Sequence, residues 1–270
     1  MIIVLIIVSA LLILLVGGYF LFLVRPRAAK PKNEAILCDY AHRGLYGNGV
    51  PENSLRAFSL ACEAGYGIEL DVQLSLDGEV MVFHDDSLAR MTGCDKLLCR
   101  TDASELQKLR LLDSEETIPT LQQVLETVNG RVPLLIELKG ESTKCDLCEK
   151  VASILREYRG PYCIESFNPV LLHNIQKYLP DAYLGQLYTH VCRERKQYTP
   201  LYMLLSIMAF NFLARPDFIA YHLPYRNSFA VKLTTRFYGA ERFIWTIQTE
   251  MDLAEARALG EHAIFETEQK

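Results

Sequence analysis

The sequence predicts a parallel α/β barrel of the TIM (β/α)8 type behind one N-terminal transmembrane helix, on three observations. The first 24 residues carry no charged side chain. After them, short apolar runs alternate with segments of helical period, the rhythm of repeated β-then-α units and so of a mostly parallel sheet. Charged residues close these apolar runs instead of interrupting them, and the strand ends are where a parallel barrel gathers its catalytic side chains.

The opening run, through Phe20, Leu21, Phe22 and Val24, exceeds the roughly 20 apolar residues that span a bilayer, so residues 1–24 read as a transmembrane anchor. Arg25, Arg27, Lys30 and Lys32 follow at once in a basic linker, residues 25–34, and no Lys or Arg precedes the run. Positive-inside bias then predicts a single-pass protein of the cell membrane with its catalytic domain in the cytoplasm. A secretory signal peptide is the rival reading; it wants a basic start, a shorter apolar core and a small-residue cleavage site, of which Gly17-Gly18 is the only hint.

Residues 35–270 form the predicted barrel. Strand candidates lie at 35–41, 66–72, 80–83, 132–138, 161–166, 182–188, 217–222, 242–248 and 262–266, with helix candidates near 54–64, 102–110, 120–128, 145–157, 168–178 and 250–259. Asn53 or Ser54 suits the cap of the first helix, and Gly65 its end. A doubly wound sheet competes, but near eight β–α units a closed barrel of roughly 250 residues fills the chain. Nine strand candidates for eight places make one a hairpin arm or an extra strand. Residues 200–214, uncharged and flanked by Arg193, Arg195, Lys196 and Arg215, break the rhythm. They read either as a buried helix or as an interfacial helix that dips into a bilayer beside the active site.

The formal net charge is −5, and setting aside the four positive linker residues leaves −9 on the remainder, which argues against nucleic acid as a partner. The linker cluster is the place for contact with anionic headgroups. Eight cysteines are scattered without the density of a disulfide scaffold. Cys145-x-x-Cys148 has neither a second pair nor a redox-fold context, so both read as thiols and not as half a zinc site.

The chemistry lies at the strand ends. His42 and Arg43 close the first run, Glu69 and Asp71 the second, His84 and Asp85 the third, Glu137 and Lys139 the fourth. Residues two apart on a strand share a face, so Glu69 projects with Asp71 and Glu137 with Lys139. Isolated buried charges are costly, and a shared site would give them partners. Three converging carboxylates are hard oxygen ligands, suited to one divalent cation, Mg²⁺ or Ca²⁺, over zinc. Arg43 and Lys139 can take charge on a phosphoryl oxygen, and two histidines that titrate near neutrality suit general acid and base roles. Together these groups describe phosphoryl-ester chemistry better than acyl or hydride transfer. The plainer alternative is an ion-pair network with Arg43 and Lys139, which leaves three carboxylates under-compensated.

The run His42-Arg43-Gly44, Pro51-Glu52-Asn53-Ser54, Glu69-Leu70-Asp71-Val72, Asp77-Gly78 and His84-Asp85 closely resembles, in order and spacing, the signature of the glycerophosphodiester phosphodiesterase family. Glu137-Leu138-Lys139, Ser166-Phe167 and Trp245-Thr246 look like its later motifs, and the resemblance covers most of residues 36–267. It implies a TIM barrel, a cation on Glu69, Asp71 and Glu137, His42 and His84 as the acid and base pair, and Arg43 and Lys139 on the phosphate. It further implies release of glycerol 3-phosphate and an alcohol. Gln248 stands where the family commonly has Asn, and Ile264-Phe265-Glu266-Thr267 replaces a more usual Ile-Thr-Asp; both departures bear on pocket shape and not on reaction class.

Trp245 is expected to wall the substrate pocket, Asn53 to cap a helix, and His173, His190, His222 and His262 to be structural. The expected substrate is a small-molecule glycerophosphodiester. The anchor and residues 200–214 favour, as an alternative, a lysophospholipid and lysophospholipase D-type hydrolysis. A catalytically silent, headgroup-binding barrel would have lost a histidine or carboxylate, and none is lost.

Overall fold

A computed structural model describes residues 2–140 and 146–266. Eight parallel strands close into a barrel: β1 (Tyr40–Ala41), β2 (Gly67–Leu74), β4 (Leu134–Leu138), β5 (Tyr162–Ser166), β6 (Leu184–Tyr188), β7 (Phe218–His222), β8 (Glu241–Ile247) and β9 (His262–Phe265). β1 closes the ring by pairing with both β2 and β9. The ninth strand, β3 (Val80–Val82), runs antiparallel to the end of β2, with Val72 opposite Val82, and is the surplus hairpin arm. It carries a satellite core of Met81, Phe83, Leu88, Leu98, Leu106 and Ile118.

Alternation along the strands sorts side chains into two cores. Ile68, Leu70, Val72, Ile136, Ile164, Ile219 and Ile244 pack with helix residues such as Phe58, Val124, Val151 and Ile175. Tyr40, Leu135, Cys163, Leu187, Phe218, Phe243 and Ile264 fill the barrel instead. The inward set changes character along each strand, as in Leu135 then Glu137, Cys163 then Glu165, and Phe243 then Trp245. Apolar layers therefore plug the N-terminal end, and ionisable groups collect at the C-terminal mouth.

The inner layer is tight at Gly185, where a Cβ would stand 2.0 Å from the Phe218 ring, itself 4.3 Å from the Phe243 ring centroid. Gly185→Ala is expected to lower stability by about 1–3 kcal/mol, the usual cost of overpacking a filled core. Its denaturant midpoint should drop; an unchanged midpoint would mean that the ring has room to move.

Two sequence expectations shorten. The 35–41 run forms a strand only over Tyr40–Ala41, because Asn33 caps a single helical turn at Glu34–Ile36. The 102–110 helix stops at Leu106, and Arg110 bridges back to Thr117. Cys145 and Thr267 lie outside the described residues; Cys148 is buried on the helix Asp146–Glu157, and Cys38, Cys62, Cys94, Cys99, Cys163 and Cys192 are free thiols.

Ile2–Leu23 is long and apolar enough to cross a membrane. Its foot is fastened to the barrel: the Tyr19 hydroxyl donates to the Ile207 carbonyl (2.9 Å), Asn211 Nδ2 to the Val24 carbonyl (3.0 Å), and the Tyr238 hydroxyl to the Phe20 carbonyl. Below it, Arg27 Nε donates to the buried Asp217 carboxylate at 2.6 Å, Lys32 pairs with Asp181 at 2.9 Å, and Lys30 pairs with Glu241. Three of the four linker cations thus meet carboxylates of the barrel, which reduces the positive charge left for headgroups.

Candidate active site

The site begins with the sharp exit of β1. His42 N–H still bonds to the Phe265 carbonyl (2.8 Å), and the chain then turns through Arg43 at φ 55° and Gly44 at φ 83°. A Cβ at Gly44 would lie 2.9 Å from Ala57, so the turn can sit against the first helix only with glycine there. The turn aims the Arg43 N–H at Glu69 Oε2 (3.0 Å) and its guanidinium at Glu52 (2.8 Å) and Asp71 (3.4 Å).

Glu69 and Asp71 project together from β2, and Asp71 stands in register with Glu137 on β4, which stands in register with Glu165 on β5. Glu69, Asp71 and Glu137 each offer a carboxylate oxygen within 4.8 Å of the others. Lys139 Nζ lies 3.2 Å from Asp71 and 3.1 Å from Glu137. All three carboxylates are buried. Hard oxygens packed this closely, three carboxylates against the two cations Arg43 and Lys139, fit a divalent cation such as Mg²⁺ or Ca²⁺.

The electrostatics divide the carboxyls. Burial, then Asp71 and Glu137, push the Glu69 pKa far up; burial lifts Glu137 to about 7 against the pull of Lys139. Asp71 is held below its ordinary value, because Lys139, His84 and Arg43 together overcome its burial. Metal-free, the cluster cannot carry all its negative charges at neutral pH, and a cation would relieve that repulsion.

Each predicted histidine has a carboxylate behind it. His42 Nδ1 meets Glu266 at 2.8 Å, leaving Nε2 3.8 Å from Glu69 Oε2. The His42 bond pulls Glu266 down to about 2, so it is ionised and fixes the proton on Nδ1. His84 Nδ1 meets Asp85 at 2.7 Å; Arg90 holds Asp85 (2.6 Å) and also Glu52 (2.6 Å), which in turn holds Arg43. Gln73 Nε2 ties down the carbonyls of Phe83, His84 and Asp85 at 2.9, 3.0 and 3.1 Å. Burial lowers the His84 pKa, keeping the imidazole neutral near pH 7.

Of the eight sequence-predicted residues, His42, Arg43, Glu69, His84, Glu137, Lys139 and Trp245 line one cavity of about 110 Å³ at the barrel mouth, with Asp71 directly beneath. Trp245 is set by a hydrogen bond to the Ala220 carbonyl (2.9 Å), by the His222 ring stacked on it at 4.6 Å, and by the edge of Phe167 at 5.6 Å.

Four further participants carry no site role in the sequence reading. Asn53 is no cap: Ser54 Oγ accepts from Ala57 N (3.1 Å), and Asn53 Nδ2 donates to Asp71 at 2.8 Å. Glu165 adds a fourth buried carboxyl, pushed well up by burial and Glu137, and its Oε2 has no hydrogen bond among the described residues. Its signal was a lone acid in an apolar strand. Glu266 and Arg90 act across 224 and 38 residues of sequence, as partners of His42 and Glu52, and no spacing rule reaches that far.

Residues 42–266 match the family model described as "Glycerophosphoryl diester phosphodiesterase family". An Oleispira antarctica phosphodiesterase, solved in complex with the product sn-glycerol-3-phosphate, is similar at 25% identity and a TM-score of 0.70, covering 85% of this chain and 92% of that one. A glycerophosphodiester phosphodiesterase of Thermotoga maritima is similar at 26% identity and 0.64, covering 85% and 94%. Among curated relatives, a glycerophosphodiester phosphodiesterase of Caldanaerobacter subterraneus is 36% identical over 159 residues, 55% of this chain and 65% of its own. A Bacillus subtilis relative, YhdW, is 38% identical over 125 residues, 44% of this chain and 51% of its own. The chain thus matches between half and two thirds of the length of these two relatives.

Proposed function

The chain belongs to the glycerophosphoryl diester phosphodiesterase family, and on that premise we propose that it hydrolyses glycerophosphodiesters to glycerol 3-phosphate and an alcohol at the mouth of its barrel. The observation that carries the reading is the meeting of Glu69, Asp71, Glu137, Arg43, Lys139, His42 and His84 around one small cavity. Glu69, Asp71 and Glu137 are the residues to hold a divalent cation, Mg²⁺ or Ca²⁺, which when bound supplies Lewis acidity at a phosphoryl oxygen.

The chain's own groups do the rest. Arg43 and Lys139 draw the phosphodiester in and balance charge on its non-bridging oxygens, Arg43 as a fork and Lys139 as a point charge. Glu266 and Asp85 each occupy the Nδ1 of a histidine, which frees the Nε2 of His42 and of His84 for proton transfer. One imidazole takes the proton from the nucleophile and the other gives one to the leaving oxygen. Trp245 and Phe167 wall the glycerol side and keep it dry.

Residues 1–24 act as an uncleaved anchor, with the linker of 25–34 laid on the barrel and the catalytic domain, 35–270, on the cytoplasmic side. The anchored reading draws support from the length of the apolar helix, Ile2–Leu23, which runs past Gly17-Gly18 without a charge and is long enough to cross a membrane. Protease treatment of intact and opened cells checks the side.

The enzymatic test is release of glycerol 3-phosphate from glycerophosphocholine, read by a coupled dehydrogenase. Turnover should vanish in excess chelator and return with Mg²⁺ or Ca²⁺. Full turnover in chelator would remove the cation from the reading.

A further inference from the structure

The cations and imidazoles of the catalytic cavity each have a partner within the protein. Arg43 holds Glu52 and Asp71, Lys139 holds Asp71 and Glu137, His42 holds Glu266, and His84 holds Asp85. Glu165 lines the same cavity and has none. It is 1% exposed, makes no ion pair and leaves Oε2 without a hydrogen bond among the described residues. Nor is it one of the three carboxylates, Glu69, Asp71 and Glu137, whose oxygens crowd within 4.8 Å of one another. A buried polar group left unmatched is costly, and a ligand that supplies the partner removes that cost.

Strand geometry sets where this carboxyl points. Cys163, two residues earlier on β5, fills the barrel, so Glu165 projects inward as well. Its neighbours across the sheet are Glu137 on β4 and Gly185 on β6. Glycine puts no side chain beside it, and two residues further along the same two strands come Phe167 and Leu187, both apolar walls of the cavity. Glu165 is therefore an acceptor set at the edge of an apolar surface. A phosphate, which offers only acceptor oxygens, is drawn to Arg43 and Lys139 instead. What complements Glu165 is a neutral carbon skeleton that carries a hydroxyl, with its carbons on Phe167 and Leu187 and its O–H directed at the carboxyl.

We propose that Glu165 recognises the glycerol of the substrate by accepting a hydrogen bond from one of its hydroxyls, and so selects glycerol phosphodiesters over diesters of hydroxyl-free alcohols. The proposal rests on the phosphodiesterase reading and assigns a specificity residue within it. An alcohol without that hydroxyl leaves the buried carboxyl unmatched, and a site built around such a bond discriminates more strongly than an apolar pocket does.

The probes are glycerol 3-phosphate and n-propyl phosphate, which share the phosphate and the three-carbon skeleton and differ in two hydroxyls. Their binding to the full chain in detergent micelles, at saturating Mg²⁺ or Ca²⁺, is measured by calorimetry for the unaltered protein, Glu165→Gln and Glu165→Leu. The unaltered protein should bind glycerol 3-phosphate about 10–100-fold more tightly than propyl phosphate, the worth of a hydrogen bond to a buried carboxylate. Glu165→Leu should close most of that gap by weakening glycerol 3-phosphate alone. Glu165→Gln keeps a carbonyl acceptor and should retain part of the gap; it reads the same comparison if the leucine variant does not fold. Equal affinity for the two probes in the unaltered protein overturns the proposal. So does an equal loss of both in the variants, which would mean that the carboxyl acts through the cation or the fold. Turnover of glycerophosphocholine is followed in parallel, and kcat/KM should fall in step with glycerol 3-phosphate binding. Probe binding as expected, without turnover of any diester by the unaltered protein, overturns the phosphodiesterase reading and leaves the glycerol contact standing.

Discussion

His42→Ala and His84→Ala should each lower kcat by about 10²–10⁴-fold, the span that positioned general acids and bases contribute, with the fold left intact. Neither ring supports the core: His42 is partly exposed at the end of β1 and His84 follows the hairpin arm. Each has one nitrogen committed to a carboxylate, so loss of the ring removes a proton carrier whose free nitrogen is already aimed. Glu266→Gln and Asp85→Asn should cost less, because they leave the imidazole in place and disturb only its tautomer and basicity. The Asp85 bond raises the His84 pKa against the stronger effect of burial, so Asp85→Asn should move the His84 limb of the kcat/KM profile to lower pH. Steady-state kinetics on glycerophosphocholine, with circular dichroism as the folding control, reads both. Unchanged turnover in either alanine variant would remove the acid and base assignment for that ring.

The barrel could be read from the sequence because each strand obeys one local rule, an apolar run closed by polar groups. All nine runs hold strands, and the surplus one is Val80–Val82, whose pairing turns antiparallel because only five residues separate it from β2. Nothing local marks that difference. Glu69, Asp71, Glu137 and Lys139 were legible for the same reason: the two-residue strand period places them on one face, and register then joins Asp71 to Glu137. Asn53 shows where local rules mislead. Its neighbour Ser54 takes the cap, and tertiary structure turns Asn53 toward Asp71 instead. Glu266 and the 200–214 segment depend on contacts between ends of the chain. Residues 200–214 read as either buried or interfacial, and they prove divided: Ser206, Met208 and Asn211 are buried, while Leu201, Met203 and Phe212 are exposed.

The other large effect concerns the buried carboxyls, and its sign runs against the habit of acid denaturation. A carboxyl whose folded pKa is raised holds its proton more tightly in the folded state. Its stabilisation is complete below the unfolded pKa and is lost as pH climbs through the folded one. Burial and mutual repulsion raise Glu69, Glu137 and Glu165, with Glu137 spanning 4.5 to about 7. His84, lowered from 6.5, works the other way near the top of that window, but it is one group against three. Asp71, lowered from 3.8, acts only in more acidic solution.

The metal-free protein should therefore lose thermal stability between about pH 5 and about pH 7. Added Mg²⁺ or Ca²⁺ should restore it, by about 2.7 kcal/mol at a hundredfold excess over Kd. That gain should grow with pH, since ligand carboxyls must be deprotonated. Glu69→Gln separates repulsion from binding: it should abolish turnover and the cation-induced shift while raising the metal-free midpoint above that of the unaltered protein at about pH 8. Calorimetric unfolding across pH, with chelator and with cation, reads all of this in one series. A metal-free midpoint that rises steadily with pH, together with no response to cation, would mean that these carboxylates balance Arg43 and Lys139 alone.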